Sequence, residues 1–412
     1  MLIVDASDRG GIARYTRSLR RALEGQHATV AVAAPPGVGD AGLVLRGPRW
    51  GSDVARMSRG RLYALRLREV GPCASTFVRA VRRARPCVVH VQTEIVPGID
   101  AQVLARLART VPVVLTVHDP MPLEGGLRAL SGQVRRWRAV DALIVHSTEA
   151  RFLVEQSAPG VPVHVVRIDA DFFAPVARPA VGRSQARATL GLPPAGVPVA
   201  LLIGQIRPYK GVGLLARAWP TVAAAVGGAR LFVVGEAYDG AELSALERAT
   251  GVEVRRGFVS DADMGLWAAA ADVLVLPYAL GSHSGVLHLG LAAGTPVLAS
   301  PPLAEEVFHT GAGAVVPLDH RAWAEALVGA LGERPLTPPG AGPAASGSRP
   351  GHEIPAQEGP SPEGPGQAGP GGDGGPPAPG TAQRTLAVYR AVLERRRRQA
   401  RGSPGDPSGG PS

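Results

Sequence analysis

Residues Val199 to Gly211 read VALLIGQIRPYKG, and Tyr278 to Ser300 read YALGSHSGVLHLGLAAGTPVLAS. The first stretch is an apolar run of strand length that stops at Gly204; a short loop then carries Arg207 and Lys210 into the helix-spaced segment Val212 to Val226. An unbroken apolar strand marks a parallel sheet buried on both faces, where ligands bind beyond the carboxyl ends of the strands. In the second stretch a turn containing Gly281, Ser284 and Gly285 opens an apolar helix. The free N–H groups and positive dipole end of such a helix favour an anion. Two cations and a helix N-terminus in one α/β domain describe a seat for a diphosphate.

The alternation extends in both directions. Toward the C-terminus, strands are predicted at Leu231 to Val234, Val252 to Arg255, Val273 to Leu276, Val297 to Ala299 and Ala314 to Val316, with helices between them. Toward the N-terminus they are predicted at Leu2 to Val4, Thr29 to Ala34, Val88 to Gln92, Val113 to Val117, Ala142 to Val145 and Val163 to Val166. Gly10 and Gly11 follow the first strand and open a helix from Ile12 to Leu23, a turn where glycine lets chain or ligand approach closely. The pattern pauses at DADFFAPVARPAVGRSQARATLGLPPAG, whose prolines and glycines read as a linker followed by a short helix. The reading is α/β, with two doubly wound, Rossmann-like domains at 1–173 and 196–334 and a linker at 174–195.

Residues 335–383 are rich in proline, glycine and serine, and are predicted to be disordered because they bury too little apolar surface to fold. Residues 384–400 regain helical spacing, with Leu386, Tyr389 and Leu393 on one stripe, and are expected to pack back on the body. A disordered tail at 401–412 follows, and Arg46 to Gly71 shows no clear period.

Composition narrows the function. The 412 residues are 45% hydrophobic but only 4% aromatic, so two aliphatic cores are affordable. The net charge of +10 is spread through helical segments, with no zinc-finger, RNP or homeodomain pattern. No nucleic-acid partner is expected; the excess suits an anionic small ligand or a lipid surface. Cys73 and Cys87 lack CxxC spacing, which points away from disulfides and cysteine metal sites and toward a reducing cytoplasm. MLIVDASDRGG is not read as a signal peptide, and no apolar run reaches about 18 residues, so a soluble protein is expected.

Gly10-Gly11 before the first helix, VVHVQTE, TVHD, IVHSTEA, GQIRPYKG, VVGE, ADVLVLPY and AAGTPVLAS stand in one order along the chain. From Met1 to about Gly329 this series resembles the GT-B, family-4-like retaining glycosyltransferases. The resemblance implies an acceptor site in the first domain facing a nucleotide-sugar site in the second across a cleft, with a final helix crossing to the first domain. It implies that Arg207 and Lys210 bind the donor diphosphate and stabilise the leaving charge, and that Gly11 meets it from across the cleft. His118 would stand near the reacting sugar. Gly204, Gly235 and Glu236 would line the nucleotide side, Phe258 and Val259 the base, and Ser284, Gly285 and Val286 the phosphate.

Two glutamates usual in the family are replaced here by Gly281 and Leu289, so the resemblance carries phosphate binding further than sugar recognition. SHSGV resembles a variant turn in which serine and backbone N–H groups hold phosphate. The expected activity is metal-independent transfer, with retention, from a nucleotide-diphosphate sugar to a glycan, lipid-linked or small-molecule acceptor. No cofactor or metal is expected. A catalytically degenerate binder of a nucleotide sugar or protein partner is the alternative, and an epimerase on the same fold a weaker one. The ERRRRQAR end allows peripheral contact with the inner face of a membrane. His288 is expected to pack rather than react, and Asp5 and Glu94 to lie at the surface.

Overall fold

The computed structural model describes residues 1–7, 9–35, 43–44, 72, 74–95, 99–122, 126–170, 172–173, 181–238, 240–332 and 380–402. The first sheet comprises β1 (Leu2–Val4), β2 (Ala31–Ala34), β3 (Leu43–Val44), β4 (Val89–Val91), β5 (Val113–Thr116), β6 (Ala142–Val145) and β7 (Val163–Val165), in the order 3-2-1-4-5-6-7. The second comprises β8 (Val199–Ile203), β9 (Arg230–Gly235), β10 (Val252–Arg256), β11 (Val273–Leu276), β12 (Val297–Ala299) and β13 (Gly313–Val315), in the order 10-9-8-11-12-13. Every pairing is parallel; Ile3 stands between Val32 and His90, and Leu201 beside Phe232. Strand order reverses at β1/β4 in one sheet and at β8/β11 in the other, which puts ligand-binding crevices at those carboxyl ends.

Both faces of each sheet are covered, which is why strands such as VALLI can be apolar throughout: all five side chains of β8 are buried. The helix Gly11–Glu24 lays Tyr15, Leu19 and Leu23, spaced four apart, against the first sheet. Helix Asp261–Ala270 is capped by Ser260, whose hydroxyl accepts from the Asp263 N–H. One apolar cluster runs from Tyr15 and Leu19 through Phe172 and Phe173 to Val286 and Leu289, so the two domains share a buried seam.

Polar contacts reinforce that seam. Arg14 reaches across to Asp261 at 2.7 Å, and Arg17 contacts the same carboxylate. Glu305 of the second domain accepts from the Thr148 N–H at 2.7 Å and from Arg167. Burial opposes the Glu305 charge, but the Thr148 and Arg167 donors outweigh it and hold its carboxyl below the usual range.

Several boundaries differ from the sequence reading. β2 begins at Ala31 rather than Thr29, and β3 was not anticipated. The short helix expected after the linker prolines is Arg183–Leu190, and it packs on the second domain: Arg187 is buried and donates to the Ala270 carbonyl and the Asp272 carboxylate. The final helix runs Thr381–Gly402, so 381–383 belong to it; most of the tract 335–383, the tail beyond 402 and Arg46 to Gly71 lie outside the described residues. Its buried face is Thr381, Ala382, Thr385, Val388, Tyr389 and Val392, with Leu386 and Leu393 only at the margin. That face lies against the first domain, where Arg396 pairs with Asp141.

Candidate functional site

The two switch points face each other across a cavity of about 420 Å³. Gly11 and His118 from the first domain line it, as do Gly204, Lys210, Gly235, Glu236, Phe258, Val259, Ser284, Gly285 and Val286 from the second. Glycine follows β8 and ends β9 because their backbones meet there: a Cβ on Gly235, at φ +145°, would lie 1.7 Å from the Gly204 carbonyl oxygen.

Of the expected Arg207–Lys210 pair, Lys210 lines the cavity and Arg207 is not among its lining residues. Ile206 is buried and bridges in parallel to Ala237, which turns Gln205 and Arg207 to the other side of an extended segment. Gln205 lines the cavity; Arg207 does not. Arg9, beside the Gly-Gly turn of the opposite domain, also lines the cavity, 5.1 Å from the Phe258 ring centroid and 3.5 Å from Glu236.

Lys210 is buried, its ammonium 3.8 Å from the Tyr278 ring centroid. Among the described residues it has no carboxylate within ion-pair distance. Desolvation pulls its pKa below the usual lysine range, against weaker support from Tyr209 and Asp119. Burial raises the pKa of Asp119, another wall residue, against the opposing influence of His283 and Lys210.

The helix Gly285–Ala293 starts at the cavity wall. Glu306, from the helix Ala304–Thr310, accepts the Ser284 N–H at 2.7 Å and contacts His288 Nε2 at 2.9 Å. Ser284, Gly285 and Val286 line the wall, with the Ser284 N–H donating to that carboxylate. Nothing in sequence spacing links Glu306 to this turn. Leu289 is fully buried core, and Gly281 lines the cavity. Asp5 departs from its expected surface position: it is buried at the end of β1, accepting from the Ser7 N–H and the Thr16 hydroxyl and so fixing the loop before Gly10. Glu94 is exposed.

His118 heads a polar chain into the first domain. Its Nε2 lies 3.0 Å from Gln92 Oε1, the Gln92 amide nitrogen 3.1 Å from His90 Nε2, and His90 Nδ1 2.6 Å from the Tyr389 hydroxyl of the final helix. His118, His146 and His283 also converge, with candidate ligand atoms all within 4.8 Å of one another. The sequence showed no metal-ligand spacing because these residues come from three separate loops. Burial first, then the neighbouring histidines, pushes His118 well below the ordinary imidazole range; His146, subject to the same influences, is lowered to about 3.

Residues 9–167 match the Glycosyltransferase Family 4 domain, and residues 197–333 match Glycosyl transferases group 1. A D-inositol 3-phosphate glycosyltransferase of Streptomyces scabiei is 32% identical over 185 residues, 41% of this chain. The match spans 40% of that relative's length. Sucrose-phosphate synthase from Thermosynechococcus elongatus superposes with a TM-score of 0.61 at 16% identity, over 97% of this chain and 98% of that one. Anabaena HepE in complex with UDP and glucose gives 0.57 at 18% identity, over 81% and 89%. The fold and site define a two-domain GT-B protein. The chain belongs to the GT-B glycosyltransferases of the family 4 and group 1 type. Among the described residues no helix is long and apolar enough to cross a membrane.

Proposed function

We propose that this protein transfers a sugar from a nucleotide-diphosphate donor to a glycan, lipid-linked or small-molecule acceptor, with retention at the anomeric carbon and no metal ion on the diphosphate. The observation that carries the reading is Lys210, a buried ammonium without a carboxylate partner among the described residues, in the same inter-domain cavity as the helix Gly285–Ala293. Breaking the sugar–phosphate bond leaves its electron pair on the diphosphate, and preorganised positive groups stabilise that charge as it forms. Arg9 supplies the second cation from the facing loop. The support of HepE, solved with UDP and glucose, makes uridine donors the first to test. The reaction is assigned to the cytoplasm, with exposed Arg395, Arg397 and Arg398 as a contact for an anionic membrane surface.

Nucleotide release should be followed across a panel of nucleotide sugars with and without acceptors, in EDTA. Acceptor-stimulated release from at least one donor is expected. A second reading, a catalytically degenerate binder, draws on Leu289 in the core and on Glu306 countering the positive helix end. Donor binding without turnover anywhere in the panel would select it.

A further inference from the structure

His118 follows β5, His146 follows β6, and His283 lies in the turn before helix Gly285–Ala293, so two come from the first domain and one from the second. Their rings meet with centroids 4.8–5.5 Å apart, and Tyr15 packs beside His118 and His146. Three ring nitrogens, His118 Nδ1, His146 Nε2 and His283 Nδ1, are buried without a hydrogen-bond partner. Stranding one buried polar atom costs about 1–3 kcal/mol, so three in one place call for a ligand.

The opposite nitrogens of the two deepest histidines are tied down. His118 Nε2 is 3.0 Å from Gln92 Oε1, and His146 Nδ1 is 2.9 Å from the Val166 carbonyl. An amide oxygen and a carbonyl only accept, so each of those nitrogens carries the proton and donates. His118 Nδ1 and His146 Nε2 are thereby left as bare lone pairs. Imidazoles oriented in this way, one nitrogen donating to an oxygen and the other open, are how proteins present histidine to a metal.

We propose that His118, His146 and His283 bind one divalent zinc-class ion that joins the two domains. Three neutral imidazoles suit zinc and its transition-metal neighbours rather than magnesium or calcium, which take oxygen ligands. Zinc–nitrogen bonds near 2.1 Å place tetrahedral ligand nitrogens about 3.4 Å apart. Donor atoms already within 4.8 Å need only a small side-chain closure. His118 and His283 also line the cavity, so the fourth position opens toward it and takes water or a hydroxyl. The ion borders the same cavity as Lys210, and the inference does not depend on the transferase reading.

The test uses the full-length protein stripped with chelator, titrated with Zn2+ by calorimetry and with Co2+ by visible absorption. The wild type is expected to take one ion per chain, with the intense visible bands of four-coordinate Co2+ and a melting temperature raised by Zn2+. His146→Gln and His283→Gln are each expected to weaken Zn2+ binding by roughly 100-fold and to abolish the melting shift. His283 is only partly buried, so its variant tests the site even if His146→Gln fails to fold. His164→Gln, outside the cluster, should bind as the wild type does. A wild type without four-coordinate Co2+ bands, or undiminished Zn2+ affinity in His283→Gln, would overturn the proposal.

Discussion

Lys210 carries the chemistry at the scale of single residues. Its ammonium rests on the Tyr278 ring with no carboxylate at ion-pair distance among the described residues, so it is poised for an incoming anion rather than spent on an internal pair. Lys210→Ala should lower turnover by roughly 10² while leaving the melting temperature nearly unchanged. Steady-state rates at saturating donor check this, and a fully active variant would remove Lys210 from the site. His90 gives a second prediction. Burial holds its imidazole down at about 3, so it stays neutral in the folded chain while the unfolded chain protonates near 6.5. Stability is therefore complete above pH 6.5 and is lost as pH falls toward 3, at up to about 1.4 kcal/mol per pH unit from this group. In urea unfolding between pH 7 and 5, His90→Gln should show a shallower slope than the wild type. Lys210 was legible because a strand, a glycine and a loop fixed its place along the chain. Arg9, Glu306 and His146 were not, since each reaches the site from an element whose position depends on sheet order.

At the scale of elements, apolar runs predicted most strands because parallel strands buried on both faces have little freedom in composition. The final helix was legible in kind but not in detail. Its stripe was read from Leu386, Tyr389 and Leu393, whereas the docked face is rotated to include Thr385, Val388 and Val392. Threonines count here because their hydroxyls are satisfied: Thr385 donates to the Thr381 carbonyl, and Thr381 to Asp169. With Tyr389 hydrogen-bonded to His90, the helix supports the polar chain that ends at His118. A chain ending at Gly380 loses Val388, Tyr389 and Val392 from the core, at about 1.5–3 kcal/mol each. Its melting temperature should fall by more than about 10 °C. Melting within 2 °C of the full chain would show that the helix contributes little.

For the whole molecule, the question is what holds two separately wound domains in one register around the cavity. The shared apolar seam sets their approach, and Asp261 fixes their rotation, because Arg14 and Arg17 of the first helix both close on it. Arg14 is 4% exposed, so that carboxylate compensates a buried guanidinium charge. Removing one partner of a buried pair leaves an uncompensated charge, while replacing both can be nearly neutral. Asp261→Asn should therefore destabilise by about 2–4 kcal/mol and loosen the cleft, weakening donor binding at the adjoining wall. The double variant Arg14→Met with Asp261→Asn should recover most of the stability, since no buried charge is stranded. Calorimetric melting of both variants, with donor affinity measured alongside, separates the outcomes. Equal destabilisation in the single and double variants would mean that the contact acts through packing alone, leaving the apolar seam to set the geometry of the cleft.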